Sequence, residues 1–133
     1  MRRFLFAVIC SFLVAVSSVG AAGQAVAAQD NVFSGTWTST DLDGSNQVLT
    51  IRGSGNGSLA MFLFDDSATG ACDGAPAYVV GSGRPDGDTL VLFGTLTCQP
   101  GGNVIRGRLT FAFEYSAGSD TLTDESGVVW TRE

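Results

Sequence analysis

The sequence contains no histidine and no lysine, and these two absences exclude several classes of function. Without histidine the chain can form neither a Ser-His-Asp nor a Cys-His catalytic centre, and it lacks the residue that most zinc sites use. All 7 basic residues are arginines, whereas aspartate and glutamate number 13. Such an acidic surface repels nucleic-acid phosphates and anionic lipid headgroups. We therefore predict no nucleic-acid partner, no cofactor and no enzymatic activity.

The N-terminal residues have the order of a signal peptide. Met1-Arg2-Arg3 precedes an apolar run from Phe4 to about Val16, expected as a helix, and small residues follow that end in Ala27 and Ala28. The run is interrupted before it reaches the roughly 20 apolar residues that a membrane anchor needs. We predict cleavage after Ala27 or after Ala28, with the twin-arginine export route as a lesser alternative.

These features divide the chain into a signal peptide, residues 1–28, and a single domain, residues 29–133. The exported domain keeps 5 arginines against 13 carboxylates, so its net charge is about −8. We expect a secreted protein, whether extracellular, periplasmic or at the cell surface, with no membrane insertion after cleavage.

Two cysteines remain in the predicted domain, Cys72 and Cys98. An even pair in an exported chain favours a disulfide, and neither a Cys-x-x-Cys spacing nor a basic neighbour favours a reactive thiol. Closing this loop of about 26 residues is expected to stabilise the fold by roughly 3 kcal/mol, because it restricts the unfolded chain.

After Asp30 the chain alternates short runs rich in β-branched and aromatic residues with turns rich in glycine, aspartate and asparagine. Eight strands are predicted, over residues 33–40, 47–53, 58–64, 77–83, 89–98, 104–115, 121–123 and 127–132. Short connections with Asp-Gly or Asn-Gly turns predict that successive strands are antiparallel. The fold class is therefore all-β, a meander that closes into a small up-and-down barrel, with a β-sandwich as the alternative.

The predicted third strand is apolar on both faces over residues 59–64. One face fits the core, and the other must be covered or must form an association surface. The predicted disulfide agrees with a meander, because the third and fifth connections then lie at the same end of the barrel.

The first and last strands carry a pattern that is typical of a known superfamily. Gly35-Thr36-Trp37 is a Gly-x-Trp pattern, and Trp130-Thr131-Arg132 lies in the last strand. The chain resembles the calycins, the lipocalins and avidins, in which the tryptophan of the first strand packs on a basic residue of the last strand. The resemblance implies that Gly35, Trp37, Trp130 and Arg132 close one barrel end, with a cation–π contact between Trp37 and Arg132. Residues 35–47 and 122–132 also resemble small exported bacterial proteins of unassigned function.

The carboxylates cluster in the predicted connections. Those expected on the rim that carries the disulfide are Asp41, Asp43, Asp65, Asp66, Asp73, Asp124 and Glu125. Aspartate is a common turn residue, so a solvated surface is the first interpretation. Carboxylates from several loops also suit a hard cation such as calcium, which leaves open a weak divalent-cation site.

Two functions are compatible with these features. We favour a non-enzymatic protein-interaction or cell-surface module that binds an exported or surface protein through the acidic rim or the two-sided third strand. The alternative is a lipocalin-like binder of a small apolar or aromatic ligand. Its basis is a set of aromatic side chains on the inward faces of the strands, namely Phe33, Trp37, Phe111, Phe113 and Tyr115. The alternative requires that these rings leave part of the interior empty.

Overall fold

The computed structural model describes residues 31–133, and the predicted signal peptide at residues 1–28 lies outside this range. The described chain forms eight strands: β1 (Gly35–Thr40), β2 (Asn46–Arg52), β3 (Leu59–Asp65), β4 (Ala77–Asp86), β5 (Thr89–Cys98), β6 (Ile105–Ser116), β7 (Thr121–Asp124) and β8 (Val129–Arg132). Each strand pairs with the next in antiparallel fashion, and β8 pairs with β1, so the sheet closes into a barrel. The predicted all-β meander barrel is confirmed, and the sandwich alternative is wrong.

Alternation along the strands places the apolar core inside the barrel. In β3, Leu59 and Leu63 are buried, whereas Phe62 is 43% exposed on the outer face. The same period runs through β5, where Leu90 and Leu92 are fully buried. A slip of one residue in register would turn these side chains outward, so their burial determines how the strands pair.

Local turn chemistry sets where the strands begin. β1 begins at Gly35, two residues later than predicted, because the N–H of Ser34 donates to the carbonyl of Asn31 at 2.9 Å and keeps this segment in a turn. β8 begins at Val129 rather than Gly127, since Gly127 has a φ of 82° and belongs to the preceding turn.

A one-turn helix, α1 (Thr69–Cys72), lies in the connection between β3 and β4. The sequence predicted no helix in the domain, because four residues are too few to show a helical period. α1 places Cys72 beside Cys98 at the end of β5, with their Cα atoms 5.9 Å apart, and the predicted disulfide is present. A 3₁₀ turn, Pro100–Gly102, follows β5. No helix of the described residues is long and apolar enough to cross a membrane.

One end of the barrel, which we call the closed end, contains the start of β1 and the end of β8. There the guanidinium carbon of Arg132 lies 4.0 Å from the centroid of the Trp37 ring. The indole N–H of Trp37 donates to the carbonyl of Phe33 at 2.9 Å. Phe33 and Trp37 are fully buried, so aromatic side chains fill this half of the interior.

The opposite end, which we call the open end, has an incomplete wall. β6 pairs with β7 only through Phe113–Ser116, so its preceding residues 105–112 pair with β5 alone. β8 pairs with β1 only through Trp37 and Thr38. An opening into the barrel therefore lies between the first part of β6 and the β7–β8 hairpin.

The outer surface of β3, β4 and β5 carries exposed apolar side chains. Phe62, Tyr78, Val80 and Phe93 are each between 43% and 61% exposed, and Phe62 pairs with Val80 across the strands. Nothing within residues 31–133 covers this surface, which we call the outer aromatic face.

Candidate functional site: the cavity at the open end

The open end contains a cavity of about 350 Å³. Its apolar wall consists of inward-facing side chains from five strands: Leu63, Ala77, Val79, Leu96, Leu109, Phe111 and Trp130. Leu109 and Phe111 are only half-buried although they point inward, because β6 has no partner strand on that side. The incomplete wall therefore produces the cavity and also gives solutes a way into it.

The aromatic side chains predicted on the inward faces separate into two groups. Phe33, Trp37 and Phe113 are fully buried in the core, and Tyr115 packs edge-on against Phe33 and Trp37 at the closed end. Phe111 instead faces the cavity. The barrel interior is therefore filled at one end and hollow at the other.

Five carboxylates surround the opening of the cavity, and we call them the acidic mouth: Asp41, Asp43, Asp65, Asp124 and Glu125. Asp41 and Asp43 come from the β1–β2 turn, and Asp65 is the last residue of β3. Asp124 ends β7, and Glu125 follows it in the β7–β8 turn. Gln47 and Thr69 add neutral polar groups. Among the residues that the structure describes, no basic side chain lines this cavity.

Asp65 is the one buried carboxylate of the acidic mouth, with 4% of its surface exposed. It is the next inward position of β3 after Leu63, so strand alternation directs it into the barrel. One oxygen, Oδ2, accepts a hydrogen bond from Nε2 of Gln47 at 3.1 Å, and Oδ1 accepts one from the N–H of Ser67 at 2.9 Å. Both donors are neutral, and no cationic side chain among residues 31–133 forms an ion pair with Asp65.

Asp43 connects the β1–β2 turn to α1. Its Oδ2 accepts hydrogen bonds from the hydroxyl and from the N–H of Thr69, the latter at 3.1 Å, and its Oδ1 accepts one from the N–H of Ser45 at 3.0 Å. These bonds, the Thr69 hydroxyl above all, hold the pKa of Asp43 well below its ordinary value. Asp43 is therefore ionised at neutral pH, and it holds one side of the mouth in place.

Asp124 organises the β7–β8 turn on the other side of the mouth. Its Oδ1 accepts hydrogen bonds from the N–H groups of Ser126 and Val128 at 2.9 and 3.0 Å, and its Oδ2 accepts one from the indole N–H of Trp130 at 3.1 Å. The Trp130 ring lies edge-to-face with Phe113, 5.7 Å between centroids. Asp124 thus orients the largest aromatic side chain of the cavity wall.

Two carboxylates predicted for the same rim do not line the cavity. Asp66 accepts hydrogen bonds from the N–H and from the side-chain amide of Asn46, at 2.9 and 2.8 Å. Asp73 is exposed after α1 and has a φ of 53°. Their roles are in local turn structure, because aspartate both accepts backbone hydrogen bonds and tolerates the left-handed conformation.

The four residues expected to close one barrel end do not all lie in the same place. Gly35, Trp37 and Arg132 meet at the closed end, but Trp130 lines the cavity instead of joining them. Trp130 precedes Arg132 by two residues, so it shares the inward face but lies about 7 Å nearer the open end.

Sequence reasoning did not single out Gln47 or Thr69. For Gln47 a signal existed, because the alternation of Leu49 and Ile51 along β2 extends to an inward-facing position 47. For Thr69 there was none, since the sequence does not show where the connection between β3 and β4 folds over the barrel. Within residues 31–133, no group of three or more His, Cys, Asp or Glu side chains is arranged to hold a metal ion.

Comparisons of the chain with protein families, with curated proteins and with solved structures give no match. The calycin resemblance therefore stays a prediction that rests on the residues of the first and last strands.

Proposed function

We propose that this protein is a non-enzymatic binding protein that takes a small ligand with an apolar or aromatic body into the open end of its barrel. The observation that carries the proposal is the cavity of about 350 Å³, with walls of aliphatic and aromatic side chains. An eight-stranded barrel has room for its own side chains or for one small ligand. Small-molecule sites measure about 300–1,000 Å³, so this cavity suits a compact ligand.

The size of the cavity also limits the affinity that apolar contact can supply. A ligand that buries about 200 Å² of apolar surface gains about 5 kcal/mol at 25 cal/mol per Å², before the cost of ordering is subtracted. That free energy corresponds to dissociation constants near the millimolar range. Tighter binding therefore requires polar contacts from the mouth.

The proposal can be tested with N-phenyl-1-naphthylamine, a neutral probe whose fluorescence rises in apolar surroundings. We expect saturable binding to the full exported protein. In the variant Leu109→Trp the larger side chain fills the cavity, and probe binding should be lost. The matched control is Thr95→Trp, because Thr95 is exposed on the outer face of the neighbouring strand β5.

Both variants gain one tryptophan, and unfolding in urea checks that both remain folded. Probe fluorescence that does not saturate, or equal binding by Leu109→Trp and Thr95→Trp, would overturn the proposal. Trp130→Phe provides a further check, since Trp130 lines the cavity and Trp37 does not. Quenching of protein fluorescence by the bound probe should weaken in Trp130→Phe.

A second function, a protein-interaction or cell-surface module, is favoured by the outer aromatic face. Monomeric proteins seldom expose contiguous apolar surface without a functional reason. Here Phe62, Tyr78, Val80 and Phe93 lie on adjacent strands and are substantially exposed. A partner exported by the same cell would bury these side chains.

This second function is tested by capture of exported proteins with the unmodified chain and with the double variant Val80→Ser/Phe93→Ser. One protein retained by the unmodified chain and lost with the variant supports the module. Equal retention by both proteins contradicts a role for this face.

A further inference from the structure

The charges around the cavity are of one sign. The acidic mouth brings five carboxylates to the opening, and none of the arginines in residues 31–133 lines the cavity. Within the part of the chain that the structure describes, the one ion pair joins Arg132 to Asp120 at the closed end. Within residues 31–133 no cationic side chain pairs with the carboxylates of the mouth, and their potential extends into a cavity with low-dielectric walls.

Among the carboxylates of the acidic mouth, Asp65 is the clearest case of a carboxylate without a cationic neighbour, because it is buried. Buried carboxylates are normally paired with a cation, since removal from water is costly for a charge. Among the described residues, Gln47 and Ser67 donate hydrogen bonds to Asp65, and a carboxylate has about four acceptor positions. It therefore keeps acceptor capacity at the edge of an apolar cavity, and no cationic side chain among residues 31–133 forms an ion pair with it.

The apolar wall adds a second feature that suits a cation. Trp130 and Phe111 both line the cavity, and aromatic rings attract ammonium groups through their quadrupole. Leu63 and Val79 lie on the same wall and suit the apolar part of a ligand. Carboxylate, aromatic and aliphatic groups thus occur together in one cavity.

We propose that the ligand of the open-end cavity carries a positively charged amine on an apolar body, and that Asp65 is its counter-charge. This inference rests on the proposed function, because it names the ligand class of the same cavity. The amine donates hydrogen bonds to Asp65 at the mouth, and the apolar body occupies the space between β3 and β6. A ligand with a carboxylate in place of the amine is repelled by the acidic mouth.

The test uses three ligands of similar size that differ in charge: 2-phenylethylamine, 2-phenylethanol and 3-phenylpropanoate. Each competes with N-phenyl-1-naphthylamine for the exported protein. We expect the amine to displace the probe at a concentration at least about tenfold lower than the alcohol, because hydrogen bonds to charged groups are the stronger ones. The carboxylate should not displace it.

Asp65→Asn should abolish the preference for the amine, so that amine and alcohol displace the probe at similar concentrations. The matched control is Asp73→Asn, which removes the same charge from the same end but does not line the cavity, and Asn tolerates the left-handed conformation of Asp73. Asp73→Asn should retain the preference.

Equal displacement by amine and alcohol in the unmodified protein overturns the inference and leaves the proposed function standing. An amine preference that survives in Asp65→Asn overturns the assignment of Asp65. If neither the probe nor any of the three ligands binds, the proposed function itself fails. The ligand series on the unmodified protein decides the first and the third of these outcomes even if Asp65→Asn does not fold.

Discussion

The guanidinium of Arg132 stacks on the ring of Trp37, with its carbon 4.0 Å from the ring centroid, and so joins the last strand of the barrel to the first. The same guanidinium donates hydrogen bonds to the carbonyls of Ser34 and Val32 at 2.6 and 2.7 Å. It also donates to both carboxylate oxygens of Asp120, at 2.8 and 3.0 Å. One side chain therefore holds together the segment before β1, the β6–β7 turn and the end of β8.

The Asp120–Arg132 pair predicts a pH dependence of stability. The hydrogen bond from Arg132 lowers the pKa of Asp120, so the folded state binds this proton less readily than the unfolded state. The pair's contribution is present above the ordinary aspartate pKa, near 4, and is lost as the pH falls through the lowered folded value. Asp120→Asn should therefore reduce the free energy of unfolding at neutral pH and have progressively less effect in acid.

Urea unfolding at a series of pH values measures this pH dependence. The control is Asp86→Asn, because Asp86 is another exposed carboxylate at the closed end. An effect of Asp120→Asn that does not change with pH would contradict the prediction.

Gly35→Ala should destabilise the closed end. Gly35 has a φ of 145°, and a Cβ at this position would lie 2.6 Å from Nη1 of Arg132. The substitution both strains the backbone and displaces the guanidinium, for which we expect a loss of about 1–3 kcal/mol. Thermal or urea unfolding checks it against Gly118→Ala, where a Cβ meets no atom within 4 Å. Equal stability of the two variants would show that the Arg132 guanidinium moves aside without loss of stability.

Removal of the disulfide should destabilise the barrel without changing its strand content. Cys72→Ser or Cys98→Ser should cost about 2–4 kcal/mol, because the unfolded chain regains the freedom of the closed loop. Urea unfolding and circular dichroism measure the two effects. Reduction of the unmodified protein should reproduce the loss, and an unchanged stability after verified reduction would contradict the prediction.

Asp124→Ala should lower the free energy of unfolding more than the same change at the neighbouring Glu125. Without Asp124, the N–H groups of Ser126 and Val128 and the indole N–H of Trp130 all lose their acceptor. Unpaired donors of this kind cost about 1–3 kcal/mol when they are not resolvated. Glu125 also belongs to the acidic mouth but is exposed, so Glu125→Ala tests the loss of charge alone. Equal stability of the two variants would show that the hydrogen bonds of Asp124 add no net stability.

Divalent cations should stabilise the protein by screening. Like charges on the acidic mouth repel one another, and added salt weakens this repulsion. Calcium and magnesium at matched ionic strength should raise the Tm gradually and equally. Saturating stabilisation that is selective for calcium and is lost in Asp43→Asn would instead demonstrate a coordination site.

Local sequence patterns determined much of the fold. The two-residue period of runs such as 105–115 assigns one face to the core, and Asp-Gly and Asn-Gly turns separate the strands. These signals depend only on neighbouring residues, so they predicted eight strands, their order and the barrel. The pairing of Cys72 with Cys98 followed from chemistry, since only two cysteines remain after the predicted signal peptide.

Tertiary structure alone decided where the barrel is hollow. Alternation shows which side chains of β6 point inward, but it does not show that β7 is too short to cover residues 105–112. That difference in length separates Phe111, which faces the cavity, from Phe113, which is buried. Tertiary structure also decided that Asp65 is buried beside the cavity and that no cationic side chain of residues 31–133 pairs with it. Burial and charge pairing depend on residues that are distant along the chain and adjacent only in the closed sheet.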